Sequence, residues 1–157
     1  MITIWERIKM EPTELRIRYT EIIKKYNSHF ELGDYEVAFL LSQSLFEDRL
    51  NVYWILGSWH TKSVDYWDVL KPEPNETKKV SLMSKTHNLR DWEMIDNSQF
   101  IKWRKLIQKR NDLIHFSLFN IEEYTKEVCD DFFNSFRSVD KLISSFKIKT
   151  NFYNESK

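Results

Sequence analysis

Glycine and proline are almost missing from this chain: two Gly and three Pro in 157 residues. Tight turns rely on those two residues. Their scarcity argues against an all-β fold of many short strands, and against a doubly wound α/β fold with glycine-rich phosphate loops. Long helices with few connections remain. The length suits one domain with a real core, and we expect a single domain over 1–157, with its core at about 12–146. Aromatic residues make up 15% of the chain and include six Trp, so much of the core or of an interface is built from flat rings.

The helices follow from periodicity and punctuation. Pro12-Thr13-Glu14 opens a first helix with proline in its first turn. It runs to about Phe30 with Leu15, Tyr19, Ile22, Ile23 and Tyr26 on one side. Gly33 breaks it, and Asp34 is placed to cap the next. The second helix, roughly Tyr35 to Trp59, is apolar on nearly every side: Val37, Ala38, Leu40, Leu41, Leu45, Val52, Trp54, Ile55 and Leu56. A helix of that kind lies at the centre of a bundle or in an interface. Its interior carries charge only at Glu47-Asp48-Arg49.

Pro72 and Pro74 then forbid continuous helix, which predicts a flexible loop at about 61–79. A short helix is expected from Val80 to about Met94. A further one, from Ser98 to His115, has its N-cap among Asp96-Asn97-Ser98. Asn120-Ile121-Glu122-Glu123 has capping-box spacing, with Asn at the Ser/Thr position. It opens a last helix reaching about Phe146, and 147–157 is expected to fray. The predicted fold class is all-α, an antiparallel bundle of four main helices and one short one.

Lys+Arg and Asp+Glu both number 24, so partners cannot be read from net charge. The single Cys129 leaves no intrachain disulfide and no cysteine-based zinc site. The first residues show no basic region followed by an apolar run, and no stretch of about 18 apolar residues is present. We therefore expect neither signal peptide nor membrane partner, and a cytoplasmic, reducing location. No His-Glu-x-x-His zinc motif, Walker loop or Gly-x-Ser-x-Gly elbow occurs, so no metal or other cofactor is implied.

Chemistry concentrates in Arg110-Asn111-Asp112-Leu113-Ile114-His115. The arginine is a permanent cation that can hold a phosphate, and the imidazole can move protons near neutral pH. At about 100° per residue, Phe100, Trp103, Leu106, Ile107, Leu113 and Ile114 form one apolar stripe with Arg110 near its middle. Burying that guanidinium without a partner costs several kcal/mol. Glu47 and Asp48 are its natural partners. Lys102, Arg104, Lys105 and Lys109 add a local basic patch, with no acid between 100 and 110. Trp103 within the patch suggests stacking on single-stranded RNA. The bland alternatives are a solvated lysine face and a core ion pair at Arg110.

Arg-Asn-x-x-x-His at the end of a helix in a small all-α chain resembles the HEPN (higher eukaryotes and prokaryotes nucleotide-binding) domains. Arg110, Asn111 and His115 fill the three positions of that motif. Leu106-Ile107-Gln108-Lys109 before it, and Leu45-Phe46-Glu47-Asp48-Arg49-Leu50 in the greasy helix, extend the resemblance over roughly 12–146. It implies a bundle of four to five helices, a homodimer, and a composite cleft where two copies of the motif meet. It also implies a metal-independent endoribonuclease of a toxin–antitoxin, abortive-infection or CRISPR system. On that basis the expected catalytic set is Arg110, Asn111, His115, Glu47 and Asp48. The expected RNA contacts are Lys102, Trp103, Arg104, Lys105 and Lys109, and an antitoxin or nucleotidyltransferase-type partner fits the class. Members modified by such a nucleotidyltransferase carry a tyrosine two residues after the histidine. Here Ser117 stands there, with Tyr124 just beyond. The competing expectation is a non-catalytic HEPN-like dimer that binds RNA, a nucleotide or another protein.

Overall fold

A computed structural model of the chain describes residues 12–62, 80–115 and 123–150. Those residues form five helices and no strand: α1 (Pro12–Glu31), α2 (Tyr35–Lys62), α3 (Leu82–Asp91), α4 (Asn97–His115) and α5 (Lys126–Lys149). None is long and apolar enough to cross a membrane. Most of the predicted 61–79 loop, the 116–119 break, Asn120 of the capping box and Ser117 fall outside the described residues.

α2 is the axis of the bundle. Phe39, Leu45, Phe46, Leu50, Val52, Ile55 and Leu56 are all buried on it, around most of its circumference. Its most extensive packing is against α5. Those two run in the same direction. Cys129 Sγ donates to the Tyr35 carbonyl, Phe132 meets Phe39, Arg49 meets Asp140, and Phe146 meets Tyr53. α1 runs opposite to both, with Phe30 beside Tyr35 and Tyr19 beside Arg49. α4 is also antiparallel to α2: near its start Phe100 lies against Arg90 of α3, two residues before the Trp92 that stacks on Trp54, and near its end Arg110 meets Gln43 and Glu47. Consecutive long helices thus alternate in direction as expected, while the dominant contact joins a parallel pair. Ten of the 25 buried apolar side chains among the described residues are aromatic, including Tyr26 stacked on Phe133 at 4.5 Å. Cys129 is buried among them, and burial pushes its thiol pKa up to about 12. It behaves as a small apolar side chain.

The ends of the helices show which local signals were decisive. α1 closes in a Schellman turn: Gly33 has φ 76°, its N–H reaches Phe30, and Asp34 N–H reaches His29. Positive φ suits glycine. The Asp34 carboxylate pairs with the His29 ring at 2.8 Å. α3 starts at Ser81, whose Oγ accepts from Ser84 N. It ends in the same kind of turn, but with Glu93 at φ 57°. The sequence offered no glycine there, so the predicted end at Met94 overran the helix. Asp96 caps α4 by accepting from Gln99 N at 2.7 Å. α5 begins six residues after Asn120, because Thr125 rather than Asn120 is its N-cap, bonding Val128 N. It also continues past Phe146, and Lys147 is buried where a frayed tail was expected.

One buried charge ties three helices together. Arg49 is 1% exposed. Its Nη1 donates to Tyr19 Oη at 2.7 Å, and that hydroxyl donates to Asp48 at 2.7 Å. Arg49 Nε lies 3.3 Å from an Asp140 carboxylate oxygen, at ion-pair distance but outside hydrogen-bond geometry. Burial, offset in part by Arg49, raises the pKa of the Tyr19 hydroxyl.

Tyr19→Phe should cost about 1–3 kcal/mol in urea unfolding, since it strips a buried guanidinium donor and Asp48 of a shared partner. Glu93→Gly should have the opposite sign and raise stability by on the order of 1 kcal/mol in the same assay. It relieves a left-handed conformation that costs about 1–2 kcal/mol for an ordinary L-residue, less the extra chain entropy of glycine.

Candidate functional site

α4 delivers Arg110 to α2. Positions 43 and 47 of α2 are one turn apart and share a face. From there Gln43 Oε1 accepts from Arg110 Nε at 3.3 Å, and Glu47 Oε2 accepts from Nη2 at 3.2 Å. Asn111 Oδ1 takes Nη1 at 3.0 Å. The guanidinium has five N–H groups, so two remain beyond these three partners among the described residues. The Arg110 side chain is 25% exposed and that of Glu47 34%. Arg110 therefore interrupts the apolar stripe at a place that is only partly covered, braced by three acceptors.

Of the two acids considered for Arg110, Glu47 meets it. Asp48 lies about 100° further round α2 and is engaged by Tyr19 and Arg49. Its placement in the catalytic set is thereby corrected. Gln43 was not expected at the site. The available signal was its position four residues before Glu47, as a polar residue in an apolar helix.

His115 is exposed in the last turn of α4. It stands about 140° around the helix from Arg110 and about 7.5 Å along it. No hydrogen bond or ion pair joins it to the Arg110 cluster among the described residues. Tyr124 anchors that end of α4: its hydroxyl donates to the Leu113 carbonyl at 3.4 Å and its ring packs on Phe39. Half-buried in this way, it is poorly placed to accept a modifying group.

The basic residues divide into two sets. Lys102, Lys105 and Lys109 line an open cleft of about 340 Å³ between α4 and α5 with Leu106, Val128 and Asp131. Acids already counter this cleft, because Lys109 pairs with Glu123 and Asp131 forms part of the wall. Arg104 lies elsewhere. At i, i+4, i+7 and i+11, Arg104, Gln108, Asn111 and His115 form one stripe. Trp103 requires a correction: it is 0% exposed, edge-on to Phe46 at 5.9 Å. An indole in the core cannot stack on a nucleobase; its place on the apolar stripe outweighed its basic neighbours.

A second cation lies behind Glu47. Lys85 of α3 is 3% exposed, and its Nζ donates to Asn51 Oδ1 at 2.6 Å. Burial lowers its pKa from the ordinary lysine value, and the charge of Glu47 works against that shift. Among the described residues, no group of three or more His, Cys, Asp or Glu side chains is arranged to hold a metal ion.

Compared with family models, with curated proteins and with solved structures, the chain matches none.

Arg110→Met should change the free energy of unfolding by about 1 kcal/mol or less, because a partly exposed pair contributes little. A loss above about 2 kcal/mol in urea titration would make Arg110 a structural ion pair like Arg49.

Proposed function

We propose that this chain is an HEPN-type, metal-independent endoribonuclease of a prokaryotic defence or toxin–antitoxin system, acting as a homodimer. The observation that carries the proposal is the Arg110 guanidinium. Three acceptors fix it, and two N–H groups remain on this partly exposed side chain, on the helix that ends in an exposed His115. A guanidinium held in this manner is preorganised for a phosphate, the geometry in which fixed donors stabilise charge that develops during reaction.

In this reading Arg110 holds the scissile phosphodiester. Gln43 and Glu47 keep the guanidinium aimed outward, and Asn111 fixes its Nη1. His115 takes the proton of the ribose 2′-hydroxyl as the 2′-oxygen attacks phosphorus. An imidazolium gives a proton to the departing 5′-oxygen. The P–O5′ bond breaks as the P–O2′ bond forms, leaving a 2′,3′-cyclic phosphate and a 5′-hydroxyl. Within one chain Arg110 and His115 point in different directions. Two chains related by a two-fold axis supply both groups to one phosphate. Leu40 and Ile114, exposed at 46% and 43% and each about one turn from the Arg110 cluster towards the Gly33 end, give such a pairing an apolar margin. The same margin also favours a second reading, a dimer that binds RNA or a partner protein without cleaving it. An antitoxin or nucleotidyltransferase-type partner is compatible with either.

Purified protein in EDTA should convert RNA to fragments with cyclic-phosphate and 5′-hydroxyl ends. Arg110→Ala or His115→Ala should lower the rate by about 10²–10⁴-fold. Cleavage that persists in both variants, or that requires added metal, would sink the ribonuclease assignment. Binding without cleavage would leave the second reading.

A further inference from the structure

Lys85 plays no part in the reaction just described, yet it is the most enclosed lysine of α3 and α4. A lysine is almost never fully buried unless it is paired. Besides Asn51, its ammonium faces the Trp54 ring at 5.2 Å, and the charge of Glu47 acts on it.

Gln43, Glu47 and Asn51 follow one another at intervals of four. They form a single polar line along a helix that is otherwise largely buried and apolar. Arg110 meets the first two members of that line, and Lys85 meets the last. Glu47, the only acid in the line, stands in register between the two cations. The Arg110 end is open to solvent and the Lys85 end is closed.

We infer that Lys85, held by Asn51 one helical turn from Glu47, is a positioning residue of the Arg110 site acting through the charge of Glu47, and that it tunes the site for a phosphate-class anion. A carboxylate drawn towards two cations neutralises neither one fully. With Lys85 in place, Glu47 holds Arg110 in direction but leaves the guanidinium electropositive towards an incoming anion. Without Lys85, Glu47 belongs to Arg110 alone and competes more strongly with the ligand. The inference rests on the proposal that Arg110 receives a phosphate, but not on that phosphate being cleaved.

The test uses the full chain, ¹⁵N-labelled, with inorganic phosphate as the probe. The Arg110 Nε–H resonance is assigned by its loss in Arg110→Met. Millimolar phosphate should shift that resonance in the native protein. In Lys85→Met the resonance should already be displaced without ligand, and the phosphate Kd should rise about three- to tenfold. That range corresponds to the coupling usual for groups within one network. In a Glu47→Gln background, Lys85→Met should have almost no further effect on Kd. Lys85→Gln, which keeps an amide donor near Asn51 but not the charge, repeats the measurement if the methionine variant folds poorly. An unmoved resonance and unchanged Kd in these variants would make Lys85 a packing residue and overturn the inference. An equal effect with and without Glu47 would also overturn it, as would failure of phosphate to bind at Arg110. Phosphate binding that depends on Lys85 in a protein that leaves RNA intact would remove the ribonuclease reading and keep this one.

Discussion

A 28-residue helix that is apolar on most of its sides has nowhere to go but inside. The rest of the bundle follows from enclosing α2. α1 folds back on it through the Gly33 turn, α5 lies along it in parallel, and α3 and α4 close the remaining side. Enclosure has an electrostatic consequence. Every charged group on the buried length of α2 must find a partner on whichever helix covers it, because an unpaired ion in the interior costs several kcal/mol. The polar residues of α2 therefore determine where its neighbours place theirs.

Two networks result, on different sides of the same stretch of helix, with Arg49 about 160° round from Glu47. Arg49, with Tyr19, Asp48 and Asp140, is shut away and joins α1, α2 and α5. Arg110, with Gln43, Glu47 and Asn111, is only half-enclosed and joins α2 to α4. The chemistry of the two guanidinium groups is the same, and the difference lies in access. The first can only hold helices together. The second is partly exposed, with donors left over and with the exposed side chains of Leu40 and Ile114 about one turn away.

Much of this was legible in the sequence. The apolar girth of α2 announced its central position, and the intrusion of Arg110 on an apolar stripe announced its need for an acid. Signals failed where tertiary contact overrode a local rule. Glu93 adopts a conformation that a residue-type rule reserves for glycine, which hid the end of α3. Thr125 displaced Asn120 as a cap, although both have suitable side chains. Trp103 belongs to two patterns at once, basic patch and apolar stripe, and burial of a large ring decided between them. Gln43 was marked only by its spacing from Glu47, and Lys85 by nothing in the sequence. Their meaning depends on which residues of distant helices face them, and periodicity gives the face of a helix but not its neighbour.

The parallel course of α2 and α5 also fixes where attachments would sit. α1 descends from the end of the bundle at which α2 and α5 finish, so residues 12 and 150 lie at that same end. Arg110 and His115 lie towards the other end, near the turn at Gly33. By the pairings of Tyr19 with Arg49 and of Phe146 with Tyr53, residues 12 and 150 stand level with about residues 56–57 of α2, roughly 15 Å along the helix from Glu47. A fluorophore placed at residue 12 or residue 150 would therefore stand at the end of the bundle remote from the arginine and the histidine.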